Sequence, residues 1–193
     1  MNAQAGQQIN AVKIVGAGLI GTSIGLALAQ QGVSITIDDA DEKALALATD
    51  LLAPYLKASG EEKKEYDLVV IATPPASVVG TLKSEFLINP KSVFIDVSSV
   101  KTNLIQEIEV LPALSQSFVG THPMAGREVS GASSAQADLF NGRAWILTPT
   151  SKSSERAIAM AKQLIVALGA SSYEMTAKDH DHLMARISHL PQI

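Results

Sequence analysis

Apolar positions along this chain fall into short β-branched runs separated by longer stretches of helical spacing. Ala11 to Val15 is such a run, stopped by glycine, and reads as a buried strand. Thr22 to Gln31 carries Ile24, Ala27 and Leu28 at helical intervals, and Gly32 ends it. Val33 to Ile37 predicts a second strand, closed by Asp38 and Asp39, and Asp41 to Leu52 a second helix, punctuated by Pro54. Asp67 to Ala72 is a third strand, ending at Thr73, Pro74 and Pro75. Ser92 to Val97 is a fourth, and Phe118 to Gly120 a short fifth. Ala144 to Leu147 and Ser171 to Met175 predict further strands, with a helix over Ser153 to Leu168 between them. Trp145 is expected in the core.

Near-continuous apolar strands alternating with helices indicate an α/β fold, with a doubly wound, mostly parallel sheet covered on both faces. The expected organisation is a flexible tail over residues 1–8 and a dinucleotide-binding domain of Rossmann type over 9–175. Residues 176–193 are expected to begin a further, helical domain. The last helix, Ala177 to Pro191, places Leu183, Ile187 and Leu190 on one side. That apolar face needs a partner, so association between copies is expected.

Hydrophobic residues make up 47% of the chain and charged residues 18%, which fits a packed globule and argues against wholesale disorder. The net charge of −4 and the lack of a basic run argue against nucleic-acid or anionic-membrane partners. With no cysteine, disulfides and thiolate metal sites are excluded. Met1 to Gln8 is polar without an apolar signal core, and no apolar run approaches a membrane span. A soluble, cytoplasmic protein is expected.

Gly16, Gly18 and Gly21 form a G-x-G-x-x-G pattern between a strand and a helix. In that setting each glycine has a task. Gly16 permits the tight turn, Gly18 lets backbone approach a pyrophosphate, and Gly21 lets helix and strand pack closely. Leu19 and Ile20 complete the turn, whose free N–H groups and helix dipole favour phosphate. An acid at the end of the second strand, roughly 20 residues on, would hold the adenosine ribose. Asp39 lies at that place, with Asp38 as competitor. A carboxylate there repels a 2′-phosphate, so NAD is favoured over NADP. Thr73 and Pro74, at the end of the third strand, are further cofactor candidates.

Three later segments are too polar for plain core: Asp96 to Lys101, Gly120 to Glu128, and His180 to His182 with Ser188 to Pro191. The first follows the fourth strand, at the sheet edge where ligands of parallel sheets bind. Lys101 reads equally as a site neighbour or a solvated lysine. Arg127 and Arg143 suit carboxylate binding or loop anchoring. His180-x-His182 has no acid or cysteine set to complete a metal site, and none is expected.

These segments, with the glycine turn, resemble the prephenate/arogenate dehydrogenase family of tyrosine biosynthesis. The stretches are VGAGLIGTSIGLAL from Val15, IDVSSVKTNLI from Ile95, VGTHPMAGREVSG from Val119, LFNGRAWILTP from Leu139 and HDHLMARISHLP from His180. The glycine pattern is common to many dehydrogenases, whereas the HPMAG and HD…SHLP blocks are far more specific. The resemblance implies oxidative decarboxylation of a small molecule, prephenate or arogenate, with hydride transfer to NAD. It implies that His122 is the catalytic base and that Ser99 hydrogen-bonds and orients it. Ser188 and His189 would contact substrate, and His180 and Asp181 would give structural support. The family's helical domain, which forms a homodimer and supplies an arginine for the substrate carboxylate, would be present here only as its first helix. Gln192 stands where many members carry histidine, which leaves the choice of substrate open.

Two other readings share the glycine turn. A β-hydroxyacid-type dehydrogenase would use a lysine on a long helix in place of His122. A nucleotide-binding module without turnover would bind NAD and catalyse nothing.

Overall fold

The computed structural model describes residues 8–56, 65–125 and 131–188. Five strands run parallel: β1 (Ala11–Val15), β2 (Ser34–Asp38), β3 (Leu68–Ile71), β4 (Val93–Asp96) and β5 (Phe118–Pro123). Two more, β6 (Ala144–Thr148) and β7 (Ser171–Glu174), complete the sheet in the order β2-β1-β3-β4-β5-β6-β7. β6 lies antiparallel to β5, and β7 parallel to β6. The expected doubly wound, mostly parallel sheet is therefore present.

Side chains alternate across the pleat into two cores. Val12, Ile14, Val70, Ile95 and Val119 face α1 (Leu19–Gln30) and α6 (Glu155–Ala167). Val69, Ile71, Phe94 and Phe118 face α3 (Val78–Ile88), α4 (Thr102–Glu109) and α5 (Pro112–Ser117). Side chains cap helices: Asp41 accepts from the N–H groups of Lys43 and Ala44 at the start of α2 (Glu42–Leu52), and Ser154 from Ala157 at the start of α6. Trp145 is fully buried, as expected.

α1 starts at Leu19, three residues before the sequence pattern places it. Leu19, Thr22, Ser23, Ile24, Leu26, Leu28 and Ala29 are all buried, so the helix has no polar face to reveal its first turn. The sequence also leaves α3, α4 and α5 unspecified. The last helix, α7 (Ala177–Ser188), packs on α4 and β6. Leu183 and Ile187 are 38% and 47% exposed, while Leu190 lies outside the described residues. Of the expected tail, Gln8 alone is described. Among the described residues no helix is long and apolar enough to cross a membrane.

Candidate functional site

β1 pairs with β2 on one side and β3 on the other, so chain connections leave β1 in opposite directions. In open parallel sheets a crevice forms at the carboxyl ends of strands at such a point. A cleft of about 930 Å³ lies there, running from the glycine turn past Asp39, Thr73 and Pro74 to Ser98, Ser99 and His122.

The glycine turn is built by backbone packing. Gly16 has φ +115°, and a β-carbon on it would overlap the Ala72 carbonyl. Its N–H donates to the Asp38 carbonyl at 2.8 Å. A β-carbon at Gly21 would overlap the Gly16 carbonyl oxygen and press on Ile14, so helix and strand approach here because no side chain intervenes. Gly21 itself does not line the cleft; Leu19 and Ile20 do. Gly18 differs from both: a β-carbon there would meet nothing within 4 Å. It is the N-cap of α1 and has no side-chain cap, so the first N–H groups of the helix face open space.

Asp39 follows β2 and closes the turn from the other side. Its Oδ2 accepts the Ala17 N–H at 2.6 Å and its Oδ1 the Asp41 N–H at 2.8 Å. Asp38 points instead toward Lys13, whose Nζ is 3.9 Å from Asp38 Oδ2 and 2.6 Å from Glu85 Oε1. The structure thus separates the two acids and puts Asp39 on the cleft. Thr73 Oγ1 is buried beside the cleft with no hydrogen-bond partner among the described residues. An open helix N-terminus, an acid on the cleft wall and an orphaned hydroxyl fit a dinucleotide.

The far end of the cleft is organised by a buried ion pair. Lys101 Nζ donates to Asp96 Oδ2 at 2.6 Å, and both side chains are fully buried. Asp96 also accepts from the Ser98 hydroxyl at 2.5 Å and the Thr121 N–H at 3.2 Å. Lys101 donates further to the Ser98 carbonyl at 2.6 Å. Gly120 packs against this cluster: a β-carbon there would collide with Thr148 Oγ1 and crowd Ile105 and Lys101. Burial pulls the lysine's affinity for its proton down, and Asp96 opposes that. The reading of Lys101 as a solvated lysine is therefore corrected. Removing one member of such a pair typically costs about 3–5 kcal/mol, because it strands a charge.

His122, on β5, lines the cleft half-buried. Burial, reinforced by the charge of Lys101 and by His180, lowers it from an ordinary value of 6.5 to about 4, and Asp96 and Asp181 only partly offset this. Near neutral pH it is an uncharged imidazole. Its Nδ1 is 2.9 Å from Nε2 of His180 on α7, and His180 Nδ1 is 2.8 Å from Asp181 Oδ1. Asp181 also accepts the N–H groups of Lys101 at 3.0 Å and Thr102 at 2.8 Å, at the start of α4. Burial alone would raise the Asp181 carboxyl; hydrogen bonds from Thr102, His180 and Lys101 outweigh it and hold the group at about 2.

The expected partner of His122 is Ser99, and here the structure differs. Ser99 is exposed on the cleft wall, and no hydrogen bond joins it to His122. After β4 the backbone turns Ser98 inward to Asp96 and leaves Ser99 facing solvent. His180, 58 residues further along the chain, makes the contact with His122 Nδ1, a pairing that no sequence spacing gives. Arg143 is exposed and not on the cleft. Arg127 and His189 lie outside the described residues, as does the side chain of Ser188. No group of three metal-ligating side chains occurs among the described residues.

The sequence profile of the family described as "Prephenate dehydrogenase, nucleotide-binding domain" matches residues 24–174. The chain is 37% identical over 181 residues to a probable prephenate dehydrogenase, NovF, of Streptomyces niveus, covering 93% of this chain and 49% of that protein. The fold superposes on a crystal structure of Aquifex aeolicus prephenate dehydrogenase in complex with hydroxyphenyl propionate and NAD+ with a TM-score of 0.80. That match has 27% identity and covers 92% of this chain and 63% of the other. For Synechocystis arogenate dehydrogenase the TM-score is 0.77 at 27% identity, covering 93% and 64%. The chain spans about half the length of the curated relatives it matches. With the profile covering most of its length, and the nucleotide cleft built as described, the chain belongs to the prephenate dehydrogenase nucleotide-binding-domain family.

Proposed function

We propose that this chain is the cofactor-binding part of an enzyme that oxidatively decarboxylates prephenate or arogenate, with NAD preferred to NADP. The observation that carries the proposal is the single cleft joining Gly18 and Asp39 to the uncharged imidazole of His122. The Gly18 end receives the diphosphate on backbone N–H groups, and Asp39 accepts from the adenosine ribose. The carboxylate disfavours a 2′-phosphate. Thr73 and Pro74 lie along the wall between the two ends.

When bound, NAD supplies the acceptor for a hydride from the ring carbon that bears the hydroxyl. His122 takes the hydroxyl proton through Nε2, the ring nitrogen left without a partner among the described residues. The carbon–carboxylate bond then breaks, carbon dioxide leaves, and its electron pair completes the aromatic ring. The phenolate oxygen recovers its proton from the imidazolium. A well-placed base of this kind contributes roughly 10²- to 10⁴-fold. Ser99 offers its hydroxyl to the same region of the cleft, and Ser188 and His189 are assigned to the substrate side. Leu183 and Ile187, exposed on α7, support homodimerisation in the complete enzyme.

The test is turnover of prephenate and arogenate by the wild-type chain and by His122→Asn, with NAD binding measured in parallel. The proposal expects His122→Asn to retain NAD binding and to lose roughly 10²- to 10⁴-fold in kcat. Hydride transfer that survives the substitution intact would favour a dehydrogenase of another type. NAD binding without turnover of either compound would favour a nucleotide-binding module.

A further inference from the structure

Asp181, His180 and His122 form one line of contacts from the N-terminus of α4 to the cleft. The ionised Asp181 carboxylate can only accept, so the proton between it and His180 sits on His180 Nδ1. In a neutral His180 ring, Nε2 then carries a lone pair. In that state the 2.9 Å contact to His122 is made by a proton on His122 Nδ1. His122 Nε2 is left bare. We propose that His180, held by Asp181, is a positioning residue that fixes His122 in the tautomer whose Nε2 lone pair is free at the cleft.

Three features make this a built arrangement. The His180 side chain is fully buried, so water does not compete for its nitrogens. Asp181 is fixed by two backbone N–H groups of α4 in addition to the imidazole, so it holds its orientation without help from solvent. The ring centroids lie 5.1 Å apart with planes at 68°, a separation that fits a head-on nitrogen-to-nitrogen contact and not a stack. The same logic governs acid–imidazole pairs in hydrolases, where the wrong tautomer alone lowers kcat about 10⁴-fold. Here a second imidazole stands between acid and base. The docking of α7 against α4 brings His180 to Nδ1 of His122.

The catalytic consequence rests on the proposed dehydrogenase function, but the tautomer does not, so the two are tested separately. The first measurement is a long-range proton–nitrogen correlation NMR spectrum of the histidine-labelled chain near neutral pH, without cofactor or substrate. His122 is assigned by its loss in His122→Asn. The proposal expects His122 Nδ1 to be protonated and Nε2 bare, and His180 to carry its proton on Nδ1. His180→Phe, which keeps a ring but removes the acceptor, should leave His122 as a mixture of tautomers. His180→Gln, which returns an acceptor oxygen near the lost nitrogen, should restore the wild-type pattern. A wild-type spectrum with His122 Nε2 protonated, or with a doubly protonated His180, overturns the proposal even if His180→Phe does not fold. So does a folded His180→Phe with an unchanged tautomer. The second measurement is turnover: His180→Phe should lower kcat roughly tenfold or more while NAD affinity holds, with recovery in His180→Gln. If the wild-type chain turns over neither compound, the functional reading fails and the spectrum still decides the tautomer.

Discussion

The backbone N–H of Ala17 donates to Asp39 Oδ2 at 2.6 Å, which makes the glycine turn and the acid after β2 one structural unit. Oδ1 is held in turn by the Asp41 N–H. The carboxylate is therefore oriented before any ligand arrives, and a carboxylate has about four lone-pair positions, enough to accept two ribose hydroxyls as well. Preorganisation of this kind lowers the entropic cost of binding.

Asp39→Ser should weaken NAD binding roughly 10- to 100-fold, since a hydrogen bond to a charged group contributes about 1.5–3 kcal/mol. NADP binding should change less, because the same substitution relieves repulsion of the 2′-phosphate. Calorimetric titration with both dinucleotides checks this. An unchanged ratio of the two affinities would show that the carboxylate does not meet the ribose.

Gly18 and Gly21 should respond differently to alanine. At Gly18 the β-carbon meets no protein atom, so Gly18→Ala should shift folding stability by no more than about 0.5 kcal/mol. It should still weaken NAD roughly tenfold, by filling the approach of the diphosphate. At Gly21 the β-carbon collides with the Gly16 carbonyl oxygen, so Gly21→Ala should lower the melting temperature whether or not NAD is present. Thermal unfolding with and without NAD separates the two cases.

His122 should make stability depend on pH in a defined window. Its folded-state value, about 4, lies below the ordinary 6.5. Between those values the unfolded chain binds a proton that the folded chain refuses. Stability is then fully present above about 6.5 and declines as pH falls toward about 4. His122→Asn should flatten that part of the curve in urea titrations run across the window. The acid limb of kcat/KM should likewise lie well below 6.5. Identical pH profiles in wild type and variant would contradict the burial and charge effects assigned to this imidazole.

Sequence alone reveals the nucleotide end of the cleft well, because its constraints are local. A turn needing φ +115° at Gly16 and close packing at Gly21 leaves few residue choices, and the acid follows at a fixed distance along one β-α-β unit. α3 is obscure for a different reason. Leu87 and Ile88 are 82% and 70% exposed while Glu85 is buried against Lys13, which blurs the helical period. Lys101 reads as solvated because the run around it is polar; the clue to its burial is Asp96, an acid ending a fully buried strand five residues earlier. The link between His122 and His180 depends on where α7 docks. No spacing rule could give it.

A dinucleotide gripped between backbone amides at Gly18 and the carboxylate of Asp39 underlies all of the proposed chemistry. Calorimetric titration of the wild-type chain with NAD, alongside its melting temperature, tests this most directly. The expected result is saturable heat at one site per chain, a rise in melting temperature, and weaker binding of NADP. No heat and no protection from unfolding with either dinucleotide would contradict it.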